Sequence, residues 1–144
     1  MRIKNKNYTG AELEIILDDF IKSGHSGVLK YFLSGQLLLE SGNFEKASHF
    51  FKEGVNQKND RSEISGLIGK SFEDKGAYMQ ALDFYNLNAE YSPDNYKAFE
   101  MRGKYFYREG EYKKALEDFE NAKRLNPVSR EIEIYIDLLK NSEK

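Results

Sequence analysis

Gly35, Gly69 and Gly103 stand 34 residues apart, and most of their neighbours recur with the same step. Gly42, Gly76 and Gly110 follow seven positions later, and Ala47, Ala81 and Ala115 five later again. Aromatic residues keep the same spacing at Phe44, Tyr78 and Tyr112, then at Phe51, Tyr85 and Phe119. A strict internal period of this length specifies a stacked array of small units, each unable to bury its apolar face alone. The recurring residues are packing residues, and none of them carries catalytic chemistry.

Three copies fit without a gap over 28–61, 62–95 and 96–129. The second glycine divides each into two stretches with apolar residues at helical spacing. In the third copy Phe99, Gly103 and Phe106 share one face, and Ala115, Phe119 and Ala122 share the facing one. The pattern predicts an antiparallel helix pair, repeated. A mid-helix glycine costs about 1 kcal/mol relative to alanine, so its recurrence at Gly35, Gly69 and Gly103 implies close approach by a neighbouring helix. Gly42, Gly76 and Gly110 fall where a left-handed residue ends the first helix. Pro93 and Pro127 close the second and third copies, with Asn59 at that place in the first.

These residues resemble the tetratricopeptide repeat, whose pattern runs aromatic, glycine, tyrosine, alanine, aromatic and closing proline. Phe99, Gly103, Phe106, Ala115, Phe119, Ala122 and Pro127 follow it closely. The second copy keeps Gly69, Phe72, Ala81, Tyr85 and Pro93 but has Ser65 and Asn88 for the early aromatic and late alanine. The first keeps Tyr31, Gly35, Leu38, Ala47 and Phe51, with Gly54 late. The resemblance implies an all-α, right-handed α-solenoid of three helix pairs in a single domain, 1–144. Residues 1–27 are then an amino-terminal tail and capping helix, and 130–144 a carboxy-terminal capping helix. Thr9 and Glu12 form a capping-box signature, and Leu13, Leu17 and Phe20 repeat the register of Ala47, Phe51 and Gly54, so 10–22 is expected to be the second helix of a half-repeat. Ile132, Tyr135, Ile136 and Leu139 predict a final helix near 129–141.

The resemblance also places the binding groove of such arrays on the first helix of each pair. Carried over, it points to Leu29, Phe32, Gln36, Leu39 and Glu40, then to Glu63, Gly66, Lys70, Glu73 and Asp74. The third copy adds Lys97, Glu100, Lys104, Tyr107 and Arg108, and Ile134 and Leu138 extend the wall. Candidate contacts are Phe32, Gln36, Leu39, Lys70, Lys97, Glu100, Lys104, Tyr107 and Arg108, the last copy offering cations to acidic groups of a peptide. Some members of the family grip the acidic tails of heat-shock chaperones with lysine, asparagine and arginine. Here Phe32, Gln36, Leu67 and Met101 occupy four of those five places and only Lys97 agrees, which argues against that ligand. Arg102 stands where an apolar residue is usual. It is expected either to snorkel outward along its aliphatic stem or to pair with a carboxylate such as Asp137, the partner that register alone suggests.

Composition narrows the function further. The net charge is −2, which argues against a general nucleic-acid surface. There is no cysteine, so disulfides, thiolate metal sites and a cysteine nucleophile are excluded. No apolar run reaches the length of a membrane span, and residues 1–8 lack the apolar segment of a secretory signal. The expectation is a cytoplasmic, non-catalytic adaptor or scaffold without cofactor or metal, holding a peptide or helix of a partner protein. The alternative is a self-assembling unit joined through its end helices, with Ile134 and Leu138 as its apolar patch. Glu45 and His49, one helical turn apart, read as a solvated pair rather than half a metal site, and His25 falls in a loop.

Overall fold

The computed structural model describes Ile15, Asp19 and residues 29–57 and 61–142. The expected helix over 10–22 lies outside these apart from Ile15 and Asp19, as do residues 1–8, His25 and Asn59. The described residues form seven α-helices and no strand: α1 (Leu29–Glu40), α2 (Phe44–Asn56), α3 (Arg61–Asp74), α4 (Tyr78–Tyr91), α5 (Tyr96–Arg108), α6 (Tyr112–Leu125) and α7 (Arg130–Ser142). The fold of the described residues is all-α and built of repeated helix pairs. The chain divides into two compact units, Met1–Asn59 and Asp60–Lys144. The first contains the pair α1–α2. The second contains the pairs α3–α4 and α5–α6, with α5 also against α4 and α7 against α6.

The repeated glycines divide into the two predicted roles. Gly42, Gly76 and Gly110 have φ of 85°, 78° and 77°, a region costly for residues with a Cβ. At each, the glycine N–H donates three residues back, and the following N–H donates five back. Those second bonds run from Asn43 to Leu38 O, Ala77 to Phe72 O and Glu111 to Phe106 O, at 2.9, 2.9 and 2.8 Å. This is the Schellman arrangement, which satisfies carbonyls left open at a helix end. Asn43, Ala77 and Glu111 then accept the first bond of the next helix, from Ala47, Ala81 and Ala115. One short turn therefore ends one helix and starts its partner.

At the other glycines the partner helix presses an aromatic ring onto the backbone. A Cβ on Gly35 would lie 2.8 Å from Phe51 Cδ1, one on Gly69 3.0 Å from Tyr85 Cδ1, and one on Gly103 3.2 Å from Phe119 Cε2. Ala47, Ala81 and Ala115 are fully buried in the same cores, as are Tyr85 and Phe119. The second unit continues this core with Phe72 stacked on Phe84, and Ile132, Ile136 and Leu139 of α7 seal its far side.

Departures from the repeat pattern occur in touching pairs. Phe32 packs over Gly54, where a Cβ would meet its ring at 3.0 Å, and its ring lies 6.5 Å from that of Phe51. One repeat on, the sizes are exchanged: Gly66 lies against Asn88, whose Nδ2 would be 2.7 Å from a Cβ there. The Asn88 amide faces Met101 Sδ at 3.6 Å, while buried Ser65 returns its hydroxyl to Arg61 O at 2.6 Å. The volume missing from one helix is supplied by the other, as close packing requires.

Candidate interaction surface

In the first unit, α1 presents Gln36 to solvent, where its amide donates to Glu40 at 3.0 Å. Phe32 is half-buried against its own partner helix. Leu39 is 2% exposed and belongs to the core, so its expected place on a groove wall is corrected. Gly66 is likewise buried between Asn88 and Met101 rather than presented outward. Phe32 and Gly66 face the second helix of their pair, where Gly54 and Asn88 hold the compensating volumes.

The remaining wall residues lie in the second unit, on α3, α5 and α7. Glu73 of α3 receives two bonds from Arg108 of α5, Nε to Oε2 at 2.6 Å and Nη2 to Oε1 at 2.7 Å. The Tyr85 hydroxyl donates to the same carboxylate at 2.8 Å. Burial pushes the Glu73 carboxyl up, but the bonds from Arg108 and Tyr85 outweigh it and hold the group below the usual carboxylate value. Burial and the same carboxylate push the Tyr85 phenol well up.

Lys104 sits between Glu100 of its own helix, at 3.2 Å, and Glu131 of α7, at 2.7 Å. Burial lowers the Lys104 pKa, and the two carboxylates more than reverse that effect. Tyr107 is half-buried, its ring 5.7 Å from Tyr112 and 5.3 Å from Tyr135. Lys70 pairs with Asp74 one turn along α3, at 2.9 Å. Lys97 is exposed without an ion pair among the described residues; its backbone N–H donates to the capping Asn95 side chain.

The expected cationic end of the wall is therefore largely neutralised from within. Of Lys97, Lys104 and Arg108, two are bound to carboxylates of the chain itself. Arg102 also differs from expectation: its partner is Asp118 of α6, bonded twice at 2.8 Å, and not Asp137, which is exposed. Glu73 and Glu131 are not marked as charge partners in the sequence, because both lie on helices distant along the chain from the cations they hold.

Apolar side chains occupy other parts of the same helices. Leu67 on α3 is 58% exposed, and Ile134 and Leu138 on α7 are 52% and 51% exposed. Shifted by one period, Ile134 and Leu138 stand where the third repeat has Glu100 and Lys104. The α7 positions equivalent to Phe99, Gly103 and Phe106, which receive the second helix of a pair, are Glu133, Asp137 and Lys140, all exposed. That face is polar and suits an array end rather than the apolar stacking of another repeat. His49 and Glu45 are exposed, and no group of carboxylates or histidines among the described residues could hold a metal ion. No helix among the described residues is long and apolar enough to cross a membrane.

Sequence and structure comparisons agree with this architecture. Tetratricopeptide repeat family profiles match residues 31–61 and 96–127. Together with the helix pairs and the repeated turn, these matches make the chain a tetratricopeptide repeat protein. No curated protein matches the sequence. Among solved structures, the first tetratricopeptide domain of Spaghetti (RPAP3), bound to the HSP90 peptide SRMEEVD, is similar at 16% identity and a TM-score of 0.58. That match covers 80% of this chain and 91% of the other. MamA from Desulfovibrio magneticus RS-1 is similar at 15% identity and a TM-score of 0.60, over 92% of this chain and 75% of that one. MamA from AMB-1 is similar at 16% identity and 0.60, over 90% and 70%. At these identities the likeness is one of fold.

Proposed function

We propose that the protein is a non-catalytic interaction module, an adaptor or scaffold holding a peptide or helix of another protein against α3, α5 and α7. The observation that carries this reading is the exposure of Ile134 and Leu138 at places where the preceding repeat has an ion pair. Paired apolar side chains on a rigid helix supply contact area without an ordering cost on the receptor side. The Spaghetti domain supports the reading in kind, since a protein of similar fold is bound to a peptide. Its acidic ligand is a poor guide to the partner here, because Lys104 and Arg108 are committed to internal carboxylates.

A displayed random-peptide library selected on the folded protein tests this function. Peptides enriched by the wild type should be lost on Ile134→Asp and on Leu138→Asp, both at exposed positions, with helicity unchanged in both. Recovery of the same peptides by the wild type and both variants would overturn the proposal.

A further inference from the structure

We infer that α7 docks a basic amphipathic helix of a partner protein, the apolar stripe of that helix lying on Ile134 and Leu138. This rests on the proposed interaction function and specifies the chemistry of the partner. The core stripe of α7 is Ile132, Ile136 and Leu139, all buried. At about 100° per residue, Ile134 and Leu138 project from the opposite side of the same helix. A helix apolar on two sides is suited to burial between two layers, and only one layer is present among the described residues.

The charges beside the apolar pair select the sign of the ligand. Glu133 and Asp137 flank it at the same one-turn spacing, both exposed and without an ion pair among the described residues. On the other flank Glu131 and Glu100 share the single ammonium of Lys104, leaving one negative charge in excess. Lys140, on the flank of Glu133 and Asp137, lies 3.8 Å from Glu120, and Arg130 stands at the start of the helix; these two cations only partly offset the carboxylates. The surround is therefore apolar at its centre and acidic at its rim. A helix with two apolar residues one turn apart and lysine or arginine on the flanks complements both features. A second copy of α7 would bring like-charged carboxylates together.

Two labelled peptides of about 18 residues, or five helical turns, test the inference by fluorescence anisotropy. They share one leucine stripe and carry either lysine and arginine or glutamate and aspartate on its flanks. The basic peptide should bind at least about tenfold more tightly and weaken as salt rises from about 50 to about 300 mM. The exposed double substitution Ile134→Ser/Leu138→Ser should weaken it about tenfold, and Glu133→Lys/Asp137→Lys should shift preference toward the acidic peptide. Equal or tighter binding of the acidic peptide overturns the inference, as does basic-peptide binding indifferent to both double substitutions. Absence of binding by either peptide also overturns it, as does a dimer in light scattering that Leu138→Ser dissolves. None of these outcomes decides the broader function, which the peptide selection tests separately.

Discussion

Arg102 clasps Asp118 with two parallel hydrogen bonds, Nε to Oδ2 and Nη2 to Oδ1, both 2.8 Å, and reaches Asn86 with a third at 3.1 Å. The contact joins α4, α5 and α6 at a place where the preceding repeat has an apolar pair. One period earlier these positions are Ile68 and Phe84, both buried. The bond from Asp118 raises the Arg102 pKa against the opposing effect of burial. Asp118 is 3% exposed, whereas the arginine side chain retains 22% and lies over the Phe99 ring.

Removing the arginine should therefore cost more than removing the aspartate. Arg102→Leu strands a buried carboxylate and is expected to destabilise by about 3–5 kcal/mol. Asp118→Ala leaves a guanidinium that can turn toward water along its aliphatic stem, so a loss nearer about 2 kcal/mol is expected. The double substitution Arg102→Leu/Asp118→Leu restores the apolar character of the second repeat and should be close to neutral. Urea unfolding of the three variants checks the order; a double variant as unstable as Arg102→Leu would reject it.

The tightness of each helix pair should be readable from alanine at the packed glycines. Alanine gains about 1 kcal/mol in helix propensity, against an overpacking cost of about 1–3 kcal/mol. The approach of the facing ring shortens from 3.2 Å at Gly103 to 3.0 Å at Gly69 and 2.8 Å at Gly35. Gly103→Ala is expected to be nearly neutral, Gly69→Ala mildly destabilising and Gly35→Ala the worst, by about 1–2 kcal/mol. Thermal unfolding monitored by circular dichroism distinguishes this order from a uniform effect.

Acid should loosen the second unit through Glu73. Its folded pKa lies below the ordinary value of 4.5, so the stabilisation is complete above the unfolded pKa and is lost as pH falls through the folded one. In Glu73→Gln that contribution is absent at every pH. Between about pH 6 and about pH 3.5 the wild type should lose more stability than the variant, which starts lower. Parallel stability curves for the two proteins over that range would rule out the assignment.

The helix pairs were legible in the sequence because the residues that build them recur where the chain has no alternative. Gly42, Gly76 and Gly110 take a positive-φ backbone conformation that glycine, unlike residues with a Cβ, adopts cheaply. Ala47, Ala81 and Ala115 occupy sites closed to larger side chains. The interaction wall was less legible, since a period fixes which face a residue occupies but not what it touches. Register alone suggested Asp137 for Arg102, although Asp118 interrupts the repeat at the place of Phe84. That second departure in the same copy was the available signal. Glu73 and Glu131 carry no such mark, because a glutamate on a helix face looks alike whether solvated or held by an arginine or lysine.

Paired departures from a repeat make a quantitative expectation at Gly66 and Asn88. Gly66→Ala places a methyl 2.7 Å from both Asn88 Nδ2 and Met101 Sδ. The side chains can shift only partly in a closed core, so a loss of about 1–2 kcal/mol is expected. Asn88→Ala removes a buried amide and leaves its space empty, at a cost of about 1–3 kcal/mol. Together, Gly66→Ala/Asn88→Ala puts the new methyl into the vacated volume, so the double variant should be more stable than the sum predicts by about 1 kcal/mol. Phe32 and Gly54 form the equivalent pair with sizes reversed, and there Phe32→Ala should be partly rescued by Gly54→Ala. Strict additivity at both sites in urea unfolding would mean that the two departures arose independently and that their contact is incidental.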